Sequence, residues 1–303
     1  MRRVAARGFG AAAAAGLFAA ACGGSGSGSG APEQGVPGTV NNGVISVPVS
    51  IEGAMTVPFV VDTGSVLTRL DPTRFSGAGI QPGLDQVTTL DVGDVHLMNV
   101  DVVAVSLCGV MMMCQGTEPA GLLGGEVLSG FQVTIDYNGG SVTFGEFTAP
   151  AGVGSPTTTP FMLQGGGRAS VAGIDVTLPA TRIAVDVDVE GTVVPMLLDT
   201  GSSTMVLAPD LYDRIISDGR SQRSIDVGTV TGSISVPLTT LHSVALVGAG
   251  AQTGIQAVRA PLDLQLLEHE VGHPIKGLLG GAYLQHYLTT IDYPGRSIIL
   301  RPY

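Results

Sequence analysis

Val57-Pro58-Phe59-Val60-Val61-Asp62-Thr63-Gly64-Ser65 and Val194-Pro195-Met196-Leu197-Leu198-Asp199-Thr200-Gly201-Ser202 are one pattern written twice, 137 residues apart. Each is a short apolar run of strand length that ends in Asp-Thr-Gly-Ser, where an acid, a hydroxyl and a glycine replace the hydrophobic residues. The likeness continues downstream. Gly121-Leu122-Leu123-Gly124-Gly125 matches Gly277-Leu278-Leu279-Gly280-Gly281, and Ile135-Asp136-Tyr137 matches Ile291-Asp292-Tyr293, both 156 residues apart. Self-similarity in this order means two copies of one structural unit, the second carrying 19 more residues between its motifs.

Around these motifs the pattern predicts strands. Residues 44–51 and 183–189 nearly alternate branched apolar residues with others, and end at Glu52-Gly53 and Glu190-Gly191 turns. Residues 133–137 and 141–144 flank Asn138-Gly139-Gly140 as a hairpin, and 289–293 and 297–300 flank Pro294-Gly295 as another. Short helices are expected at 209–216 and 125–128. With 45 glycines and only 13% charged residues, the composition suits a turn-rich β protein. The expected organisation is a leader at 1–21, a Gly/Ser/Pro-rich tether at 22–40, a first half at 41–150, a connection at 151–170 and a second half at 171–303.

Two Asp-Thr-Gly-Ser motifs, each preceded by an apolar strand and followed by apolar-apolar-Gly and an apolar-Asp-Tyr hairpin, resemble the retropepsin and pepsin superfamily of aspartic proteases over about residues 42–303. The resemblance implies an all-β, bilobal acid-protease fold of two barrel-like halves related by a pseudo-twofold axis. It implies an aspartic endopeptidase that activates water between Asp62 and Asp199, without cofactor or metal, on extended peptides or unfolded proteins. Two nearby carboxylates that share one proton can serve as base and acid together. Because both halves lie on one chain, a monomer suffices. The resemblance assigns Thr63 and Thr200 to hydrogen bonds across the axis, Gly64 and Gly201 to close backbone approach, and Ser65 and Ser202 to the outer carboxylate oxygens. Those serine bonds favour ionisation and an acidic optimum. Leu122-Leu123-Gly124 and Leu278-Leu279-Gly280 would support the Asp loops. The 19 extra residues place a β-hairpin flap in residues 224–246, whereas the first half is short over 86–105. The expectation is a single flap from the second half, the reverse of the pepsins, and one that lacks their tyrosine.

Arg2, Arg3 and Arg7, an alanine-rich run through Leu17 and Phe18, and small residues up to Ala21 have the parts of an export signal, and the run is too short for a membrane span. Ala19-Ala20-Ala21 before Cys22 is similar to a bacterial lipobox, with Ala19 where leucine is commoner. Lipidation at Cys22 would leave an exported lipoprotein anchored in a cell envelope, facing the periplasm or the outside; an ordinary secretory signal is the other reading. Export makes Cys108 and Cys114 a candidate disulfide, with two buried free thiols as the alternative. Losing Arg2, Arg3 and Arg7 takes the formal charge from -11 to about -14 and leaves no basic stretch, which argues against nucleic acid.

His269-Glu270-Val271-Gly272-His273 satisfies the HExxH zinc pattern, but Gly272 and Pro274 oppose the helix that pattern requires. His96, His242 and His286 have no ligand spacing. Asp136 and Asp292 precede hairpin turns and read as backbone-bonding residues, and Met111-Met112-Met113 as core or pocket wall. The rival functional class is a lipoprotein that keeps the fold as a non-catalytic peptide-binding module.

Overall fold

The strand Val44–Ile51, β3, shows why the two halves fold as they do. Its residues alternate between half-exposed and buried, with Ile45, Val47, Val49 and Ile51 all facing the core, as period-2 patterning requires of a strand with one buried face. The computed structural model describes residues 35–75, 77–107, 119–171, 174–229, 232–260 and 274–303. Cys22, Cys108, Cys114, Met111 to Met113 and the pattern at His269, Glu270 and His273 lie outside these residues.

The first half comprises β1 (Val36–Pro37), β2 (Thr39–Asn41), β3 (Val44–Ile51), β4 (Val57–Val61), β5 (Thr68–Leu70), β6 (Gly83–Val92), β7 (Val95–Ala104), β8 (Gly121–Leu123), helix α1 (Gly125–Leu128), β9 (Gln132–Asp136) and β10 (Ser141–Phe144). Seven strands form a sheet in the order β2-β3-β4-β8-β5-β7-β6, and β6 returns to pair with β3, Val49 opposite Val92, closing it into a barrel. β4 lies mid-sheet with both faces covered: Phe59 and Val61 enter the main core, and Val60 packs with Leu107 and Leu122. This explains why its sequence is continuously apolar rather than alternating.

The second half repeats the plan. It comprises β11 (Thr157–Pro160), β12 (Met162–Gln164), β13 (Gly167–Val171), β14 (Ile174–Leu178), β15 (Arg182–Val189), β16 (Thr192–Leu198), β17 (Met205–Leu207), α2 (Pro209–Ile215), β18 (Arg223–Thr229), β19 (Gly232–Leu241), β20 (Val244–Leu246), β21 (Ile255–Arg259), β22 (Gly277–Leu279), α3 (Gly281–Leu284), β23 (Tyr287–Asp292) and β24 (Ser297–Pro302). Its sheet runs β12-β15-β16-β22-β17-β21-β19-β18, with β20 pairing β15. A third sheet, β1-β10-β9-β23-β24-β11, takes strands from both halves. At its centre β9 and β23 are antiparallel with Thr134 opposite Thr290, and the two hydroxyls lie 2.9 Å apart. One main hydrophobic core serves both halves. Ile45, Phe59, Leu123, Ile183, Leu198 and Leu279 are fully buried in it, each contributing roughly 1.5–3 kcal/mol of transfer free energy.

Three features differ from the sequence expectation. β1 and β2 fall inside the stretch read as tether, and Pro37 is accommodated because β1 is a sheet edge where a missing N–H is tolerated. β11, β12 and β13 occupy much of the stretch read as connection. The hairpin β13–β14 was not expected at all: it is inserted between β12 and β15, and its strands pair only with each other. The extra length of the second half does take the expected form. β18 and β19 make a hairpin with Thr229 opposite Gly232, while the first half passes from β5 to β6 through a single 3-10 turn, Pro72–Phe75.

Candidate active site

β4 and β16 end at equivalent places, and the neighbouring strands hold both loops. The N–H of Asp62 donates to Leu123 O and that of Asp199 to Leu279 O, each at 3.0 Å. The N–H groups of Gly125 and Gly281 donate to Ser65 O and Ser202 O, each at 2.7 Å. Apolar-apolar-Gly recurs in both halves because this strand lies under the Asp loop and its glycine corner leads into the helix that caps it.

The threonines tie the halves together as a reciprocal set. Thr63 Oγ1 donates to Leu198 O at 2.8 Å and accepts from Thr200 N at 3.1 Å; Thr200 Oγ1 donates to Val61 O at 2.6 Å and accepts from Thr63 N at 3.1 Å. All four bonds are buried, where an unmade partner costs most. The grip brings the carboxyls of Asp62 and Asp199 together, so that each lies against the other's glycine. The glycines are required by this proximity: a Cβ on Gly64 would lie 2.7 Å from the Asp199 carboxyl carbon, and one on Gly201 2.6 Å from that of Asp62.

The two carboxyls are not equivalent. Asp62 Oδ1 accepts from the N–H groups of Gly64 at 2.9 Å and Ser65 at 3.2 Å, and Oδ2 from Ser65 Oγ at 2.7 Å. Asp199 accepts from Gly201 N at 3.0 Å. The hydroxyl of Ser202 departs from expectation: it turns away and donates to Thr204 O at 2.9 Å. Asp199 is held well above the ordinary carboxylate range, first by burial and then by the neighbouring carboxyl of Asp62. Three donors converge on Asp62, which suits an acceptor-only carboxylate, while Asp199 keeps the shared proton.

Arg182 went unrecognised in the sequence, since nothing in the first half corresponds to it. Its Nε donates to Gly64 O at 3.1 Å, so the start of β15 braces the Asp62 loop. Asp136 and Asp292 lie in turns, accepting from Gly139 N at 2.7 Å and Gly295 N at 2.8 Å. His96 contacts Asp91 on the surface. Among the described residues no group of three or more His, Cys, Asp or Glu is placed to hold a metal.

The architecture matches that of an aspartic proteinase from Irpex lacteus over 88% of this chain and 96% of that one, with a TM-score of 0.54 at 14% identity. The chain has an aspartic-protease fold. Residues 185–283 match the family model described as Aspartyl protease. A retropepsin-like aspartic protease from Rickettsia conorii aligns with 49% of the chain and 94% of its own length, at 17% identity and a TM-score of 0.33. No curated protein matches in sequence. In this aspartic-protease fold the matched region spans β15 to α3, the stretch that contains Asp199 and the hairpin β18–β19.

Proposed function

We propose that the chain is an aspartic endopeptidase in which Asp62 and Asp199 are the catalytic residues. The observation that carries this reading is the meeting of two carboxyls across the pseudo-twofold axis, each against the other's glycine and locked by the threonine grip. Asp62, as the anion, takes a proton from a water whose oxygen forms the new bond to the peptide carbonyl carbon. Asp199 gives its proton to the carbonyl oxygen, producing a neutral tetrahedral diol. Collapse breaks the C–N bond. The leaving nitrogen takes the proton from Asp62, the diol returns one to Asp199, and the resting pair is restored.

Substrate is an extended peptide or unfolded segment laid between the halves, with β18–β19 as the flap that excludes water. The leader and Cys22 support an exported, lipid-anchored form acting in a cell envelope as a monomer.

Incubation of the purified protein with an unfolded protein from acid to neutral pH tests the reading. Cleavage that a pepstatin-type transition-state mimic blocks, that Asp62→Asn and Asp199→Asn each abolish, and that a chelator leaves untouched is expected. A correctly folded wild type that cleaves nothing but binds peptides would make the chain a binding module instead.

A further inference from the structure

The two halves treat one turn very differently. In the first half β2 passes to β3 through Asn42-Gly43 alone. In the second half the same junction, between β12 and β15, contains β13–β14. This hairpin belongs topologically to the second half, but its root rests on the first. Leu178 packs with Val66, Leu67 and Val103, the first two directly following Asp62-Thr63-Gly64-Ser65. Just beyond, Thr181 Oγ1 would lie 2.4 Å from a Cβ on Gly125, and Arg182 grips the Gly64 carbonyl.

The place matters. The same cluster includes Leu84, at the start of β6. The register shows what is missing there: Gly83 pairs with Ala104 at the end of β7, as β19 pairs with β21, but β19 continues outward into the β18–β19 hairpin while the chain before Gly83 turns away. The inserted hairpin is therefore rooted where the first half would have sprung a flap of its own. On the opposite flank, beside Ser203 and Thr204, which correspond to Val66 and Leu67, the short turn at Asn42 leaves an open cavity of about 560 Å³.

Two further properties suit the hairpin to a partner that arrives and leaves. Gly165, Gly166 and Gly167 enter it with φ of 77°, 90° and 107°, three successive left-handed residues that only glycine adopts without strain. Each strand also has its outer edge unpaired among the described residues, with Arg168, Asp175 and Thr177 exposed. An unpaired edge of N–H and C=O groups is a template for another strand.

We propose that β13–β14 is a substrate-pairing arm, whose free edge takes an extended stretch of the substrate polypeptide on the Asp62 side of the cleft, where the first half has no flap. The inference rests on the endopeptidase reading. It makes recognition lopsided: β18–β19 closes over one flank and the arm pairs with the chain on the other.

The test uses two non-cleavable probes, an octapeptide with a hydroxyl-bearing transition-state mimic at its centre and a truncated analogue that spans the dyad only. Binding is compared between the wild type and a variant in which residues 167–178 are replaced by Asn-Gly. The octapeptide is expected to bind at least about tenfold more weakly to the variant, with the short probe unchanged. In the unmodified protein, amide exchange along Gly167–Val171 and Ile174–Leu178 is expected to slow with the octapeptide and not with the short probe. That second readout needs no variant, so misfolding of the shortened chain leaves the test intact. Unchanged exchange overturns the inference, as does failure of the octapeptide to bind the wild type. Protection that rises with protein concentration in the absence of peptide assigns the edge to a second copy of the chain and overturns it too. Turnover with arm-independent affinity sinks this inference alone; arm-dependent binding without turnover sinks the catalytic reading alone.

Discussion

Ser202 carries a consequence for pH. Had its hydroxyl bonded Asp199, that acid would have been favoured as an anion and the optimum set lower. With the Ser202 hydroxyl on Thr204 O, only the backbone N–H groups of Gly201 and Ser202 oppose the burial of Asp199 and the neighbouring charge, and they do not outweigh them. The alkaline limb of activity, which reports loss of the Asp199 proton, is expected above the ordinary carboxylate range and toward neutral pH. A kcat/KM profile on one peptide checks this, and a limb near pH 4 would contradict it. Glu126 gives a stability prediction of the same kind. Its carboxyl is pushed up to about 7, chiefly by burial, with Oε1 accepting from Asp101 N at 3.1 Å and Oε2 left without a partner. A raised folded value means that stability is fully present below the unfolded carboxyl range and is lost as pH rises through about 7. Glu126→Gln should therefore stabilise the protein by about 2–3 kcal/mol at pH 8 and by almost nothing at pH 4, read from denaturant midpoints. At this scale the sequence brought Asp62, Asp199 and their threonines forward because duplication singled them out from the other aspartates. It misassigned the Ser202 hydroxyl, whose choice between a carboxylate and a carbonyl 2.9 Å away is a matter of rotamer.

The flap has a visible anchor. Arg220, just ahead of β18, is half-buried between Glu190 and Asp218; it meets both Glu190 oxygens and also donates to Thr240 O at 3.2 Å. Burial works against ionised Glu190, but the hydrogen bonds from Arg220 and the His242 N–H, with the Arg220 charge, together outweigh it and hold the carboxyl below its usual range. Arg220→Met would leave the half-buried Glu190 without its cation and should cost about 1 kcal/mol at neutral pH, solvent screening taken into account. Because the folded value is depressed, that difference should shrink as pH falls through the carboxylate range, and Arg220→Lys should not restore it, since an ammonium cannot reach both oxygens in a plane. Removal of residues 229–234 tests the hairpin itself: a loss of about a hundredfold in kcat/KM with the threonine grip intact is expected, and full activity would mean that β18–β19 is not the flap. Its presence could be read as a length difference between repeats. The inserted arm could not, because residues 150–181 have no aligned partner to measure against and their Gly, Pro and Thr content resembles that of a linker.

At the scale of the molecule the halves are not separable beads. The sheet that joins them places β9 against β23 at its centre, and one hydrophobic core continues through both. Heating should give one cooperative transition with calorimetric and van't Hoff enthalpies equal, and two resolved transitions would show that the seam is weak. That seam has a historical meaning as well. Where Thr134 faces Thr290, a residue meets its own repeat, as residues do on the axis of a symmetric dimer. In such a dimer one gene encodes both sides, so each mutation is made twice and no insertion can occur on one side only. Once the two copies are fused they mutate independently, and one copy can keep a flap and grow an arm that the other lacks while the shared centre is held fixed.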